Sequence, residues 1–217
     1  HRKKLAIPII GLTGSNGKTT TKELINVVLN KKFNVVATKG NLNNHIGVPL
    51  TLLSMNNNTE VGIVEMGANH QREIQFLSNI CEPDFGYITN FGKAHLEGFG
   101  SEEGVIKGKS ELYGFLKQNN KVAFVNNSDT IQVEKTQKIN RILFSDNIKF
   151  LETNPFVKLQ YKDIKIQSNL IGQYNYNNIA AAVTIGDYFN ISSEKIKEAI
   201  GDYQPKNNRS QIIKKDK

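Results

Sequence analysis

Residues 8–24 read PIIGLTGSNGKTTTKEL. Ile7 to Leu12 is an apolar run and reads as a buried strand. Thr13 to Gly17 forms a tight Gly-rich turn, and Lys18 with three threonines opens a helix. Strand, loop and helix in this order are the context that a phosphate-binding loop requires. The glycines let backbone N–H groups approach phosphate oxygens, and the helix N-terminus adds partial positive charge. Gly14, Ser15, Asn16, Gly17, Lys18, Thr19 and Thr20 are therefore the candidate nucleotide-binding residues. Lys18 would reach the β/γ-phosphates, and Thr19 would offer its hydroxyl to Mg²⁺. In the common spacing G-x-x-x-x-G-K-[ST] the first glycine would fall at Leu12, with Gly11 and Gly14 beside it. A chance Gly-rich turn before a helix is the competing reading, and the flanking strand and helix argue against it.

The 217 residues suffice for one large or two small domains, with 38% hydrophobic and 22% charged residues, ordinary for a soluble globular chain. No apolar run approaches the roughly 20 residues of a membrane span. No signal peptide is visible, because His1-Arg2-Lys3-Lys4 runs straight into the first strand. That abrupt entry reads as a piece of a longer chain. The single cysteine, Cys81, cannot form an internal disulfide, which suits a reducing cytoplasm. The formal charge is +8, but the lysines are scattered and no aromatic–basic interleaving marks a nucleic-acid platform. The excess reads as a solvated face with attraction for anionic substrates.

Outward from the loop, periodicity predicts a helix over 19–30, a strand over 33–37 and a polar, Asn-rich loop from Thr38 into Pro49. Turn chemistry alone could explain its asparagines, since Asn tolerates left-handed backbone. The loop nevertheless follows the C-terminal end of a strand, where open α/β sheets bind ligands. A helix over 49–55 and a buried strand over 60–65 come next. Glu65 ends that strand, where a P-loop fold places a Mg²⁺ ligand. A helix over 70–79 and a strand over 85–89 lead to a second polar loop holding His95. That histidine could be a ligand, a base or a satisfied loop residue. One helix is expected from Ser101 to Lys117, with Ser101 as its N-cap. Strands over 121–126 and 141–145 flank a weak helix. The order is β–α repeated, which means α/β architecture: a mostly parallel P-loop-type sheet flanked by helices. From residue 147 the pattern alternates over 148–151, 156–161 and 164–166, a small appended antiparallel sheet. Helices over 179–189 and 192–200 close the domain at about residue 205, and 206–217 reads as a linker.

Several of these segments together resemble the Mur ligase family, ATP-dependent amide ligases of bacterial cell-wall precursor synthesis. They are GLTGSNGKTTTKE (11–23), TKGNLNNHIGVPLT (38–51), EMGA (65–68), ITNFGKAHLEGFGS (88–101), KGKSEL (107–112) and GQYNYNNIAAA (172–182). They occur in family order, and the Leu12 departure matches this family's own loop variant. The resemblance covers only the central ATP-binding domain. It implies an N-terminal UDP-binding domain and a closing C-terminal domain beyond this chain, with Asn207-Asn208-Arg209-Ser210 as the junction. NLNNHIGVP and AHLEGFGS are most similar to the branch that joins D-alanyl-D-alanine to UDP-N-acetylmuramoyl-tripeptide.

What the resemblance implies can be stated residue by residue. Lys18 would contact the β/γ-phosphates of ATP, and Thr19 and Glu65 would hold one Mg²⁺. His95 and Lys109 would serve a second metal site, with Lys109 carbamylated. A carbamate makes sense of a lysine beside a cation, which an ammonium would repel. From the residues alone, Lys109 could be a surface lysine, and Lys107 is an equal candidate. Asn43 and Asn44 would face the muramoyl-peptide, and Asn175 and Asn178 would lie near adenine; a helix cap is their alternative. The expected chain is a cytoplasmic monomer without nucleic-acid or membrane partners. A sister ligase, adding another stem-peptide residue or a glutamate to folate, and a non-catalytic nucleotide-binding module are the rival readings.

Overall fold

The computed structural model describes residues 1–93 and 95–205. The expected linker 206–217 and its Asn207–Ser210 junction lie outside the described residues. After a 3-10 turn at Arg2–Lys4, the chain runs β1 (Ile9–Thr13), α1 (Lys18–Leu29), β2 (Val35–Ala37), α2 (Gly47–Leu53), β3 (Val61–Glu65), α3 (Glu73–Cys81) and β4 (Phe85–Ile88). It continues through α4 (Leu96–Phe99), α5 (Glu102–Lys109), α6 (Glu111–Gln118), β5 (Val122–Val125), α7 (Thr130–Lys135) and β6 (Asn140–Leu143). Strands β7 (Ile148–Thr153), β8 (Phe156–Tyr161) and β9 (Ile164–Ile171) precede α8 (Asn175–Tyr188) and α9 (Ser193–Asp202).

Strands β1 to β6 form one parallel sheet in the order β2-β3-β1-β4-β5-β6. β1 and β3 are buried at every position, so they read as near-continuous apolar runs, ending in Thr13 and Glu65, rather than alternating ones. Because the strands are parallel, the loops after β1, β2, β3 and β4 all leave at the same edge, with β1 between β3 and β4. That edge carries the sequence motifs. The β7-β8-β9 sheet is antiparallel, as the alternation predicts.

Two hydrophobic cores lie against opposite faces of the parallel sheet. One gathers α1, α8, α9 and the small sheet around Leu12, Leu24, Val28, Tyr161, Leu170 and Ile185. The other gathers α2, α3, α5 and α6 around Ile9, Val64, Leu77, Leu112 and Leu116. Leu24, Ile25, Val28 and Leu29 of α1 are wholly buried. Each contributes roughly 1.5–3 kcal/mol by burial, which fixes the helix behind the phosphate-type loop. Ala180, Ala181 and Ala182 keep α8 slim where it packs against the same core as α1.

Several local expectations differ from the structure, β9 among them, since it runs on to Ile171 rather than ending at residue 166. The single helix over 101–117 is two helices broken at Ser110, whose backbone N–H still bonds to Ile106 O. A one-turn helix, α4, stands inside the second polar loop. α8 begins at Asn175 rather than Ile179, since Asn175 and Asn178 are buried against α1 and their polarity does not break the helix. Ser101 caps α5 as expected, its side chain accepting from the Gly104 N–H at 3.0 Å.

Candidate functional site

The Gly14–Gly17 turn is held by the chain from Thr89 to Gly92. Ser15 donates its hydroxyl to Gly92 O at 2.7 Å, and Thr89 donates to Asn16 O at 2.6 Å. Asn90 reads the same turn through Asn16 O at 3.0 Å and the Asn16 N–H at 3.2 Å. The loop after β4 thus clamps the loop after β1. Gly17 sits at φ 78°, and a Cβ there would meet Asn178 Oδ1 at 2.6 Å. Glycine is required by both the backbone and the close approach. Lys18 folds over the turn, donating to Gly14 O at 2.8 Å and Ser15 O at 3.1 Å. Thr20 is half-buried on the first turn of α1.

Thr19 and Glu65 come together as side chains at the ends of neighbouring elements. Thr19 donates to Glu65 Oε1 at 3.3 Å, and Asn43 Nδ2 donates to the same oxygen at 2.8 Å. Glu65 is 1% exposed, and its Oε2 has no hydrogen-bond partner among the described residues. Lys22 stands 3.6 Å from that oxygen. A buried carboxylate beside a threonine hydroxyl suits Mg²⁺, which takes few protein oxygens and keeps waters and phosphates as its remaining ligands. The donor set therefore fits the metal.

Lys107 and Lys109 are told apart by burial. Lys107 is exposed, whereas Lys109 is wholly buried and donates to Ala68 O at 3.0 Å. Its ammonium also lies 5.0 Å over the Phe99 ring. Burial, then the charge of Lys18, depresses its pKa from 10.5 to about 8. His95 is exposed at φ 55°, at the start of α4.

A cleft of about 590 Å³ opens at this edge, lined among others by Lys18, Asn43, Asn44, Ala68, Arg72 and His95. It brings the phosphate-type lysine, the Asn-rich loop, the carbonyl that holds Lys109 and the candidate histidine to one space. Asn44 does double duty, since its Oδ1 accepts from the N–H groups of Ile46 and Gly47 at the start of α2. Turn chemistry therefore explains part of that loop. Asn175 and Asn178 lie behind the Gly17 turn. Asn178 bonds to Asn175 Oδ1 at 2.8 Å and accepts from Thr21 at 3.0 Å, while Asn175 donates to Ile171 O at 2.8 Å. Both amides are nearly closed off from solvent. Within the cleft, burial works against ionised Glu73, but the N–H groups of His70 and Asn69 and the His70 ring outweigh it and hold its pKa below the ordinary value. Cys81 is buried in the core, its thiol pushed up by burial, and takes no part in the cleft.

Sequence reasoning missed Lys22, Thr38 and the Thr89–Asn90 clamp. Thr38 Oγ1 accepts the Glu65 backbone N–H at 3.0 Å. The one available signal was position, since all three stand at strand ends or one turn into α1.

The comparisons point in one direction. A family model described as the Mur ligase middle domain matches residues 12–186. The UDP-N-acetylmuramoyl-tripeptide–D-alanyl-D-alanine ligase of Bacillus subtilis (strain 168) is 33% identical over 100% of this chain and 49% of its own length. The ligase of the same name from Escherichia coli (strain K12) is 33% identical over 92% of this chain and 47% of its own length. A crystal structure of MurF from Acinetobacter baumannii superposes with a TM-score of 0.88 at 31% identity, covering 99% of this chain and 50% of that one. MurF ligase from Thermotoga maritima, solved in complex with ADP, gives 0.81 at 26% identity over 99% of this chain and 53% of that one. The chain spans about half the length of the curated relatives it matches. Among the described residues, no helix is long and apolar enough to cross a membrane.

Proposed function

Since the chain belongs to the Mur ligase family, we propose that it is the ATP-binding domain of a cytoplasmic ligase joining D-alanyl-D-alanine to UDP-N-acetylmuramoyl-tripeptide. The domain would span residues 1–205, with 206–217 leading to a closing domain and a UDP-binding domain before residue 1. The observation that carries this reading is the meeting of Thr19 and Glu65 beneath the Lys18 turn.

The substrate carboxylate is a poor acylating agent. It attacks the γ-phosphate of ATP, giving an acyl phosphate and ADP. The amine of D-alanyl-D-alanine then attacks the acyl carbon, and inorganic phosphate leaves. Phosphoryl transfer of this kind depends on positioning and charge neutralisation more than on covalent help. Lys18 and the N–H groups of the Gly14–Gly17 turn would hold the phosphates. Thr19 and Glu65 would hold one Mg²⁺, and His95 and Lys109 a second. Bound Mg²⁺ supplies neutralisation of the charge on the transferred group.

Lys109 has the chemistry for CO₂ addition. With its pKa near 8, a useful share of neutral amine is present close to neutral pH. The amine nitrogen adds to carbon dioxide, one proton leaves, and a carbamate results. Asn43 and Asn44 would meet the muramoyl-peptide from the cleft's other wall. Asn175 and Asn178 would form the wall behind the nucleotide and keep the Gly17 turn in place.

The test is ADP release with UDP-N-acetylmuramoyl-tripeptide and D-alanyl-D-alanine. The longer protein carrying this chain is expected to turn over and the 217-residue chain alone to be nearly inactive. Lys18→Ala in the longer protein is expected to lower turnover at least about 100-fold. Turnover unchanged by Lys18→Ala would overturn the reading. Carbon-13 NMR in labelled bicarbonate is expected to show a carbamate signal that Lys109→Met removes.

A further inference from the structure

We propose that Lys22 is a positioning residue for the metal-site carboxylate, fixing Glu65 and the Asn-rich loop relative to the phosphate-type turn. The inference rests on the reading of Glu65 as a Mg²⁺ ligand and adds a residue which that reading does not use.

Lys22 lies on α1, one helical turn beyond Lys18 and Thr19, so it shares their side of the helix. It is 2% exposed, a rare state for a lysine, since burying an ammonium is costly unless it is paired. Its Nζ stands 3.6 Å from Glu65 Oε2 and donates to Gly40 O at 2.9 Å. The other handles of Glu65 are already taken. Oε1 accepts from Thr19 and Asn43, and the backbone N–H bonds to Thr38. Among the described residues only Oε2 of this side chain lacks a hydrogen bond, and Lys22 Nζ faces it. At 3.6 Å the ammonium attracts the carboxylate and anchors the Oε2 side, which is closed off from solvent, so that Oε1 stays turned toward Thr19.

Gly40 gives Lys22 its second function. It precedes Asn41, Asn43, Asn44 and His45, which line the cleft. One side chain therefore ties the first turn of α1, the end of β3 and the root of the substrate-facing loop. A buried ion pair seldom adds net stability over apolar residues of the same shape. Its value here is geometric: it aims the carboxylate and holds the loop in register with it.

The test is calorimetric titration of this chain with ATP, with and without Mg²⁺, on wild type, Glu65→Gln, Lys22→Met and the double variant. The quantity read is the gain in ATP affinity that Mg²⁺ confers. Lys22→Met is expected to lose at least about tenfold of that gain while metal-free ATP affinity stays within about twofold. In the Glu65→Gln background, Lys22→Met is expected to change the gain by less than about twofold, because both act through one carboxylate. No Mg²⁺ gain in wild type, or a gain kept by Glu65→Gln, overturns the metal-site reading and this proposal with it. A gain lost in Glu65→Gln but kept in Lys22→Met overturns the Lys22 proposal alone. Equal losses with and without Mg²⁺ in Lys22→Met also overturn it, since they would mark a purely structural role. Should the single variant fail to fold, the double variant, which buries no unpaired charge, carries the test. Metal-free ATP affinity of the double variant within about twofold of Glu65→Gln supports the proposal, and a loss of about tenfold there marks a purely structural role and contradicts it.

Discussion

Two lysines are buried beside the same cleft, and their surroundings set them to different work. Lys22 faces the Glu65 carboxylate at 3.6 Å and a carbonyl at 2.9 Å. Lys109 has a carbonyl at 3.0 Å and an aromatic face, with no carboxylate within ion-pair distance among the described residues. The first is a counter-cation whose charge is used where it stands. The second carries a charge its surroundings oppose, with burial and the nearby Lys18 both favouring the neutral amine. The pair shows that burial of a lysine has no fixed meaning, and that its partners decide whether the surroundings support its charge or oppose it.

The contrast breaks most visibly on removing the paired lysine. Lys22→Met leaves Glu65 buried without its counter-charge and is expected to cost about 3–5 kcal/mol, read by chemical denaturation. A cost under about 1 kcal/mol would mean the pair contributes nothing to the folded state.

Lys109→Met should go the other way. The folded pKa of about 8 lies below the ordinary 10.5 of an unfolded lysine. Below pH 8 both states hold the proton, and the buried charge costs the folded state. Between pH 8 and 10.5 the folded state sheds its proton while the unfolded state keeps it, so wild-type stability rises with pH. The variant is therefore expected to be more stable than wild type by roughly 2–3 kcal/mol at pH 7, with the difference shrinking as pH climbs toward 10.5. Paired denaturation curves at pH 7 and pH 10 read it. A difference that does not change with pH would remove the depressed pKa.

Gly17→Ala tests the turn that Lys18 folds over. At φ 78° with Asn178 Oδ1 2.6 Å from a new Cβ, it is expected to lose roughly 1–3 kcal/mol. The smallest effect belongs to Lys107→Met. Lys107 is exposed on the same helix as Lys109, and its loss is expected to stay within about 0.5 kcal/mol.

The fold was legible because its signals are local and agree with one another. Apolar runs at 9–12 and 61–64 mark strands buried on both faces, and turn residues separate them from helices of clear period. The alternation in 148–171 likewise announces an antiparallel pair with one wet face. Glu65 was legible from its place at a strand end beside the phosphate-type loop. Lys22 was not, because one lysine on a helix reads as solvated until tertiary packing closes over it. The same limit left Lys107 and Lys109 equal, since positions two residues apart differ only in which side of α5 faces the core. The break at Ser110 was hidden because the residues on either side, Lys109 and Glu111, are ordinary helix formers.

The central claim is that the rims of β1 and β3 form one magnesium–triphosphate site. A crystal structure of the chain with a non-hydrolysable ATP analogue and Mg²⁺ tests it most directly. The account predicts a metal about 2.0–2.1 Å from Thr19 Oγ1, with Glu65 as a ligand directly or through one water, and the phosphates under the Gly14–Lys18 turn. A metal and triphosphate bound elsewhere, with Thr19 still bonded to Glu65, would contradict it.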